Sequence, residues 1–131
     1  MILKKHYLSY KVNKQYRNHL IKSGSIGFSI LSANRVSRKK ENLLKLIILR
    51  KLKEFSSKKF KIWFFSNCLF NLTELPLESR MGKGKGEVRD SFAFYKKGLV
   101  LFEIKGLSFF ESSELTKSLN DHNILKFKLI Y

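Results

Sequence analysis

The stretch of this chain best equipped for chemistry is Arg80-Met81-Gly82-Lys83-Gly84-Lys85-Gly86, where glycine alternates with lysine behind an arginine. Glycine lets a backbone without Cβ hindrance come close to a phosphate, and the neighbouring ammonium groups neutralise it. Two nucleotide-binding loops have a similar composition, and both fail on spacing. A Walker A loop requires Gly-x-x-x-x-Gly-Lys followed by Ser or Thr, a string this sequence lacks. The dinucleotide fingerprint Gly-x-Gly-x-x-Gly breaks at Glu87, which stands where the third glycine belongs. Composition alone leaves two readings of the run open, a phosphate-approaching loop and a solvated hairpin tip. Other chemistries find little support. His6, His19 and His122 are scattered, no metal-ligand spacing occurs, and no Ser or Cys sits in a nucleophile motif. The expectation is therefore a protein that is not an enzyme and holds no cofactor or metal. Cys68, the single cysteine, cannot form an internal disulfide and reads as a small buried residue. The Asn71-Leu72-Thr73 sequon is taken as a chance match.

The elements that must position this run follow from hydrophobic period. Residues 24–31, Gly-Ser-Ile-Gly-Phe-Ser-Ile-Leu, alternate as a short strand opening on a turn. Ser37 is placed to cap a helix reaching about Phe55, because Leu44, Ile48, Leu52 and Phe55 recur at the spacing of one buried stripe. Residues 60–65, Phe-Lys-Ile-Trp-Phe-Phe, are aromatic and β-branched enough for a strand, and residues 66–79, with Asn67, Asn71 and Pro76, read as a loop. Beyond the glycine-lysine run, residues 91–95 and 99–104 are strand candidates joined at Lys96-Lys97-Gly98, a hairpin by length and chemistry. Ser108 with Glu111 forms a capping box for a second helix to about Asn120, with Leu115 and Leu119 inward. Leu125, Phe127, Leu129 and Tyr131 then alternate with lysines as a last strand. The simplest solution is an α+β fold with two helices packed on one side of a mainly antiparallel sheet.

Charge indicates what such a fold would bind. The 131 residues hold 27 Lys and Arg against 10 Asp and Glu, a formal net charge of +17 that favours a polyanionic partner. Residues 1–61 contain 17 basic and 2 acidic side chains, so most of the excess lies in the first half. A content of 44% hydrophobic residues is too high for a simple basic tail, so a folded core under a basic surface is expected. The length suits one domain. Residues 1–23 read as a basic arm, in which Lys4, Lys5, Lys11, Lys14, Arg17 and Lys22 are interleaved with Tyr7, Tyr10, Tyr16 and His19, and residues 24–131 as the α+β domain. Cations pair with phosphates and rings stack on bases, which suits RNA. Arg38, Lys39, Lys45, Arg50 and Lys53 extend the cationic face along the first helix, opposite its buried stripe. Apolar runs such as residues 46–49 are far too short to cross a bilayer, and the start lacks the pattern of a secretory signal. A membrane-surface role for the basic helix conflicts with its use as a lid on the strands.

The run Arg80 to Gly86 also resembles the signature string of the L-sixteen family of large-subunit ribosomal proteins, found in bacteria and organelles. Residues 24–28 resemble the family's glycine turn, and Arg35-Val36-Ser37 with the helix to Leu52 its first helix and cap. Lys61-Ile62-Trp63 is similar to the strand that follows, and residues 98–108 to the second hairpin strand and helix start. The sequence departs from the family after Trp63, where residues 66–70 replace a proline-rich turn. The resemblance implies a structural protein docked on large-subunit rRNA beside neighbouring ribosomal proteins. Its glycine-lysine loop would point toward the A-site tRNA and the peptidyl-transferase region. It places Arg35, Arg38, Arg80, Lys83 and Lys85 among the RNA-contacting residues. Neither a membrane nor self-association is expected. The alternative function is a non-ribosomal basic RNA-binding protein or RNA chaperone. Lys outnumbers Arg 21 to 6 and alanine is confined to positions 33 and 93, a bias of A+T-rich codons. With the resemblance, this bias suggests a mitochondrial ribosome, ahead of a plastid or an A+T-rich bacterium.

Overall fold

The computed structural model describes residues 20–55, 59–66, 68, 70–82 and 84–131. In chain order its elements are β1 (Ile26–Ile30), β2 (Asn34–Ser37), α1 (Arg38–Phe55), β3 (Lys61–Phe64), β4 (Phe70–Glu74), β5 (Glu87–Tyr95), β6 (Val100–Lys105), α2 (Phe109–Asp121) and β7 (Phe127–Ile130). The fold is α+β with antiparallel strand pairs, as the sequence pattern indicates. The strands divide into a four-stranded sheet, in the order β3-β6-β1-β7, and a three-stranded sheet, in the order β2-β5-β4.

Alternation along β1 sets the core. Ile26, Phe28 and Ile30 share one face, and the register places Ile26 opposite Ile104 and Phe28 opposite Phe102. The Phe28 and Phe102 rings stack at 4.3 Å, and Phe127 of β7 meets Phe102 edge-on at 5.5 Å. Onto this face α1 lays Leu44, Ile48 and Leu52, and α2 lays Leu115 and Leu119, all buried in one cluster. Each such side chain contributes about 1.5–3 kcal/mol on leaving water, which is why the two short helices stay docked. Phe55, the last residue of the expected stripe, packs half-buried at the rim. Val36, Ala93 and Tyr95 join the same cluster from the three-stranded sheet, so the two sheets and two helices share one core.

The helix starts follow their sequence signals. Ser37 Oγ accepts from the Lys40 amide at 3.4 Å, and around α2 both halves of the capping box are made between Ser108 and Glu111. Three features differ from the sequence pattern. Residues 66–79 contain a strand, β4, whose Phe70 and Leu72 lie on the same face as Phe92 and Asp90 of β5. Residues 34–37 form β2, which offers a single buried apolar side chain, Val36, and is held by pairing with β5. The Lys96-Lys97-Gly98 connection does not close a hairpin. β5 has both edges occupied by β2 and β4, and β6 by β1 and β3, so these three residues form a corner between the sheets. Gly98, at φ +83°, donates its amide to the Ile30 carbonyl at 2.8 Å and anchors that corner to β1.

Candidate nucleic-acid interface

The glycine-lysine run sits in the connection between β4 and β5, the actual hairpin of the three-stranded sheet. Gly82 and Gly84 take φ values of +92° and +95°, a region that other residues avoid, and a Cβ at either would meet nothing within 4 Å. At the tip the glycines are therefore required by backbone conformation, not by packing. The opposite holds at the base, where a Cβ on Gly86 would lie 2.3 Å from the Glu74 carbonyl oxygen. There the two backbones touch, and Arg89 and Glu74 form an ion pair across the same two strands. Arg80 and Met81 are exposed, with Met81 at 95%, while Lys85 is half-buried. The result is a loop with a pinned base and a tip of bare backbone close to the exposed Arg80, a shape that a phosphate-rich surface can approach closely.

A second group of cations surrounds the start of α1. Arg35 of β2 is exposed, and its guanidinium lies 5.3 Å from the centroid of the Phe92 ring. The rings of Phe70, Phe92 and Phe94 pack together at 5.4–5.8 Å on that outer face of the sheet. Arg38 and Lys39 follow in the first turn of α1, and Arg50 and Lys53 stand exposed near its other end. No ion pair engages these four among the described residues. Lys45, the other cation of that expected face, instead turns to Glu41 at 2.6 Å and lies over the Phe64 ring.

These residues do not form one site. Arg35 pairs in register with Phe94, seven residues along β5 from the end of the loop at Glu87, which is about 23 Å at the rise of a strand. Arg50 lies twelve residues along α1 from Arg38, about 18 Å. The exposed cations are therefore spread as separate stations along β2, α1 and the loop, an arrangement that suits a ligand that is itself extended and polyanionic. Of the remaining sequence candidates, Lys22 is exposed, whereas Lys4, Lys5, Lys11, Lys14, Arg17 and Lys83 lie outside the described residues.

Two buried carboxylates, neither part of a motif in the sequence, fasten neighbouring segments of the chain. Glu103 of β6 accepts from the backbone amides of Lys22, Ser23 and Gly24 at 3.0, 2.7 and 2.7 Å. Burial pushes its carboxyl up, but the three amide donors outweigh that effect and hold it below the ordinary glutamate range. Glu103 thereby fixes the direction in which the chain leads into β1. Gly24 has no room for a side chain here, since a Cβ would lie 2.8 Å from that of Glu103. In α1, Glu41 accepts from Lys45, from Ser66 Oγ at 2.5 Å and from Cys68 Sγ at 2.8 Å. Burial raises its carboxyl, and the Cys68, Lys45 and Ser66 hydrogen bonds together bring it below the usual range. Burial and the Glu41 carboxylate push the Cys68 thiol up to about 12, so it stays a donor. A charged residue inside the apolar run from Leu101 to Ile104 was the available sequence signal for Glu103. Nothing comparable marks Glu41, which shares the first turn of α1 with lysines.

Among the described residues no helix is long and apolar enough to cross a membrane. The sequence matches the family model for ribosomal protein L16p/L10e over residues 2–121. It is 35% identical over 121 residues to large ribosomal subunit protein uL16m of Chondrus crispus, covering 91% of this chain and 88% of that protein. It is also 34% identical over 110 residues to uL16 of Phytoplasma mali, covering 84% and 75% of the two chains. With uL16 of Thermosipho melanesiensis it shares 33% identity over 107 residues, 75% of this chain and 72% of the other. Together with the α+β core and the pinned glycine-lysine hairpin, these matches show that the chain belongs to the ribosomal protein L16p/L10e family, as a structural component of the large ribosomal subunit and not an enzyme.

Proposed function

We propose that the protein binds large-subunit rRNA through its basic stations and presents the Arg80–Gly86 loop to the A-site tRNA and peptidyl-transferase region, supporting tRNA placement and late subunit assembly. The observation that carries this reading is the loop itself, with open space around Gly82 and Gly84 and a base locked at Gly86. A structural turn has no need of a lysine between two unhindered glycines, whereas a contact to phosphates uses both. Arg35, Arg38, Lys39, Arg50 and Lys53 serve as phosphate contacts that set orientation, and residues 1–23 as a basic arm along the RNA. Neighbouring large-subunit proteins are the other partners, with neither membrane attachment nor self-association. The likeness to uL16m and the A+T-type composition support a mitochondrial ribosome as its location.

The test is replacement of Arg80, Lys83 and Lys85 together by alanine. Arg80 is exposed and Lys85 half-buried in the hairpin connection, outside the hydrophobic core, and substitutions away from a core usually change stability by about 0.5 kcal/mol or less, so the melting temperature of the free protein should change little. Large subunits carrying the variant at matched occupancy should bind A-site tRNA weakly or mature slowly. Wild-type tRNA binding together with normal maturation would reduce the loop to a solvated tip.

A further inference from the structure

We propose a further RNA contact, on the side of the four-stranded sheet away from the helices: a groove in which Lys59, Lys61 and Lys105 surround Trp63 and which takes one unpaired nucleotide of single-stranded RNA. Its base would lie on the indole and its flanking phosphates between the lysines. The inference rests on the reading that the chain binds RNA, and adds a site distinct from the loop and the α1 face.

Strand register defines the groove. Lys61 is directly opposite Lys105, and Trp63 directly opposite Glu103, so these four side chains share one face of the β3-β6 pair. The intervening Ile62, Phe64, Phe102 and Ile104 belong to the core packing on the other face, toward the helices. The groove, about 710 Å³ and lined by Ser23, Lys59, Phe60, Lys61, Trp63 and Lys105 with Gly106, is in the size range of small-ligand sites. Trp63 and Phe60, both half-buried, contribute aromatic rings to its lining, and neither is wholly sequestered in the core.

Charge identifies the occupant. Like charges directly opposite on paired strands destabilise a sheet, and Lys61 and Lys105 form such a pair with Lys59 beside them. All three are exposed, and no ion pair or side-chain hydrogen bond holds them among the described residues. The carboxylate on this face, Glu103, is already engaged by three backbone amides. What remains is a concentration of positive charge around an indole. An anion carrying a flat ring satisfies both features, and a nucleotide within a strand supplies a phosphate on each side of its base.

Trp63 is the single tryptophan of the chain, so its fluorescence reports on this groove alone. The full chain should be titrated with a short oligouridylate bearing a terminal dye, following dye anisotropy and indole emission together, with an oligoglutamate peptide as the control polyanion. The oligouridylate should quench Trp63 saturably, and the oligoglutamate should not. A Lys61→Gln/Lys105→Gln variant should melt no lower than wild type, since a repulsive pair is removed. Its quenching should weaken, and the log–log salt dependence read from quenching should flatten by about 1.4, the value for two phosphate contacts to a single strand. Anisotropy showing RNA bound while Trp63 stays silent, or quenching that ignores the double substitution, would overturn the groove and leave RNA binding in place. Equal quenching by oligoglutamate would assign the groove to acidic peptides instead. Absence of any RNA binding at low salt would overturn this inference and the broader reading together.

Discussion

Replacing Glu103 should detach the segment leading into β1 while leaving the helices packed. Its carboxylate accepts three backbone amides within 3.0 Å, and hydrogen bonds to a charged group contribute about 1.5–3 kcal/mol each when both partners are buried. Lys22 and Ser23 are exposed, so water can replace the carboxylate at their amides, and only the half-buried Gly24 amide loses its partner outright. We therefore expect Glu103→Gln to cost about 2–3 kcal/mol, well short of the sum of three bonds, because the amide keeps one acceptor oxygen but turns an NH₂ toward the donors. Urea unfolding at neutral pH measures the total, and hydrogen exchange locates it: amides 22–24 should lose protection beyond the global decrease, and those of α2 should not. The pH dependence gives a sharper test. The folded carboxyl titrates below its unfolded value, so its contribution is complete above the ordinary glutamate range and disappears as pH falls through the lower, folded value. The stability gap between wild type and Glu103→Gln should close in that acid window. A variant as stable as wild type at neutral pH, or a gap indifferent to pH, would show that the amides do not depend on the charge.

Three further outcomes follow from the same structure. Ile48→Ala, at a fully buried position between α1 and the sheets, should cost about 2–5 kcal/mol in urea unfolding, and a cost under about 1 kcal/mol would mean that the core closes over the cavity. At pH 8 a thiol with a pKa of about 12 is ionised in only about one molecule in ten thousand, so Cys68 should alkylate far more slowly folded than in urea; Glu41→Gln should speed the folded reaction, and an unchanged rate would remove Glu41 as the cause. Deleting residues 1–19 should flatten the salt dependence of RNA binding by about 0.7–0.9 for each phosphate that the arm neutralises, while sparing the amides that Glu103 holds, and an unchanged slope would place the electrostatic footprint elsewhere.

What the sequence made legible was whatever depends on local period and local hydrogen bonding. The stripe of Leu44, Ile48 and Leu52, the capping box of Ser108 and Glu111, and the alternation through Phe28 and Phe127 each report a neighbour a few residues away. β2 was not legible because it is a strand by virtue of its partner: Asn34, Arg35 and Ser37 have no apolar reason to extend, and β5 supplies the reason from far along the chain, where Ala93 faces Val36. β4 did carry a signal in the alternation of Phe70 and Leu72 with Asn71 and Thr73, but the asparagines and Pro76 around it read more strongly as loop. The corner at Lys96–Gly98 failed for a related reason, since chemistry suited to a tight turn does not say whether the strands it joins pair with each other. The glycine-lysine run was legible as composition and resemblance; the difference between its free tip and its pinned base was not, because that depends on the Glu74 backbone across the hairpin.

The same division between local and distant partners accounts for the distribution of charge. Acidic groups are scarce in this chain, and two of them are buried and committed to partners that include a single lysine, Lys45. Glu103 is committed to backbone amides, and Glu41 to one lysine, a hydroxyl and a thiol. Among the carboxylates outside, Glu54 engages Lys51 and Glu74 engages Arg89, which leaves Arg38, Lys39, Arg50 and Lys53 on α1 without an ion pair among the described residues. Had Glu41 and Glu103 been exposed beside those cations, each would have formed a weak surface pair worth about 0–1 kcal/mol and reduced the attraction for phosphate. Buried, they fasten the segment before β1 and the strand-linking residues Ser66 and Cys68 to the core, and the cations stay available. Two of the few carboxylates therefore serve the fold, and Arg38, Lys39, Arg50 and Lys53 keep their charge without an ion pair among the described residues.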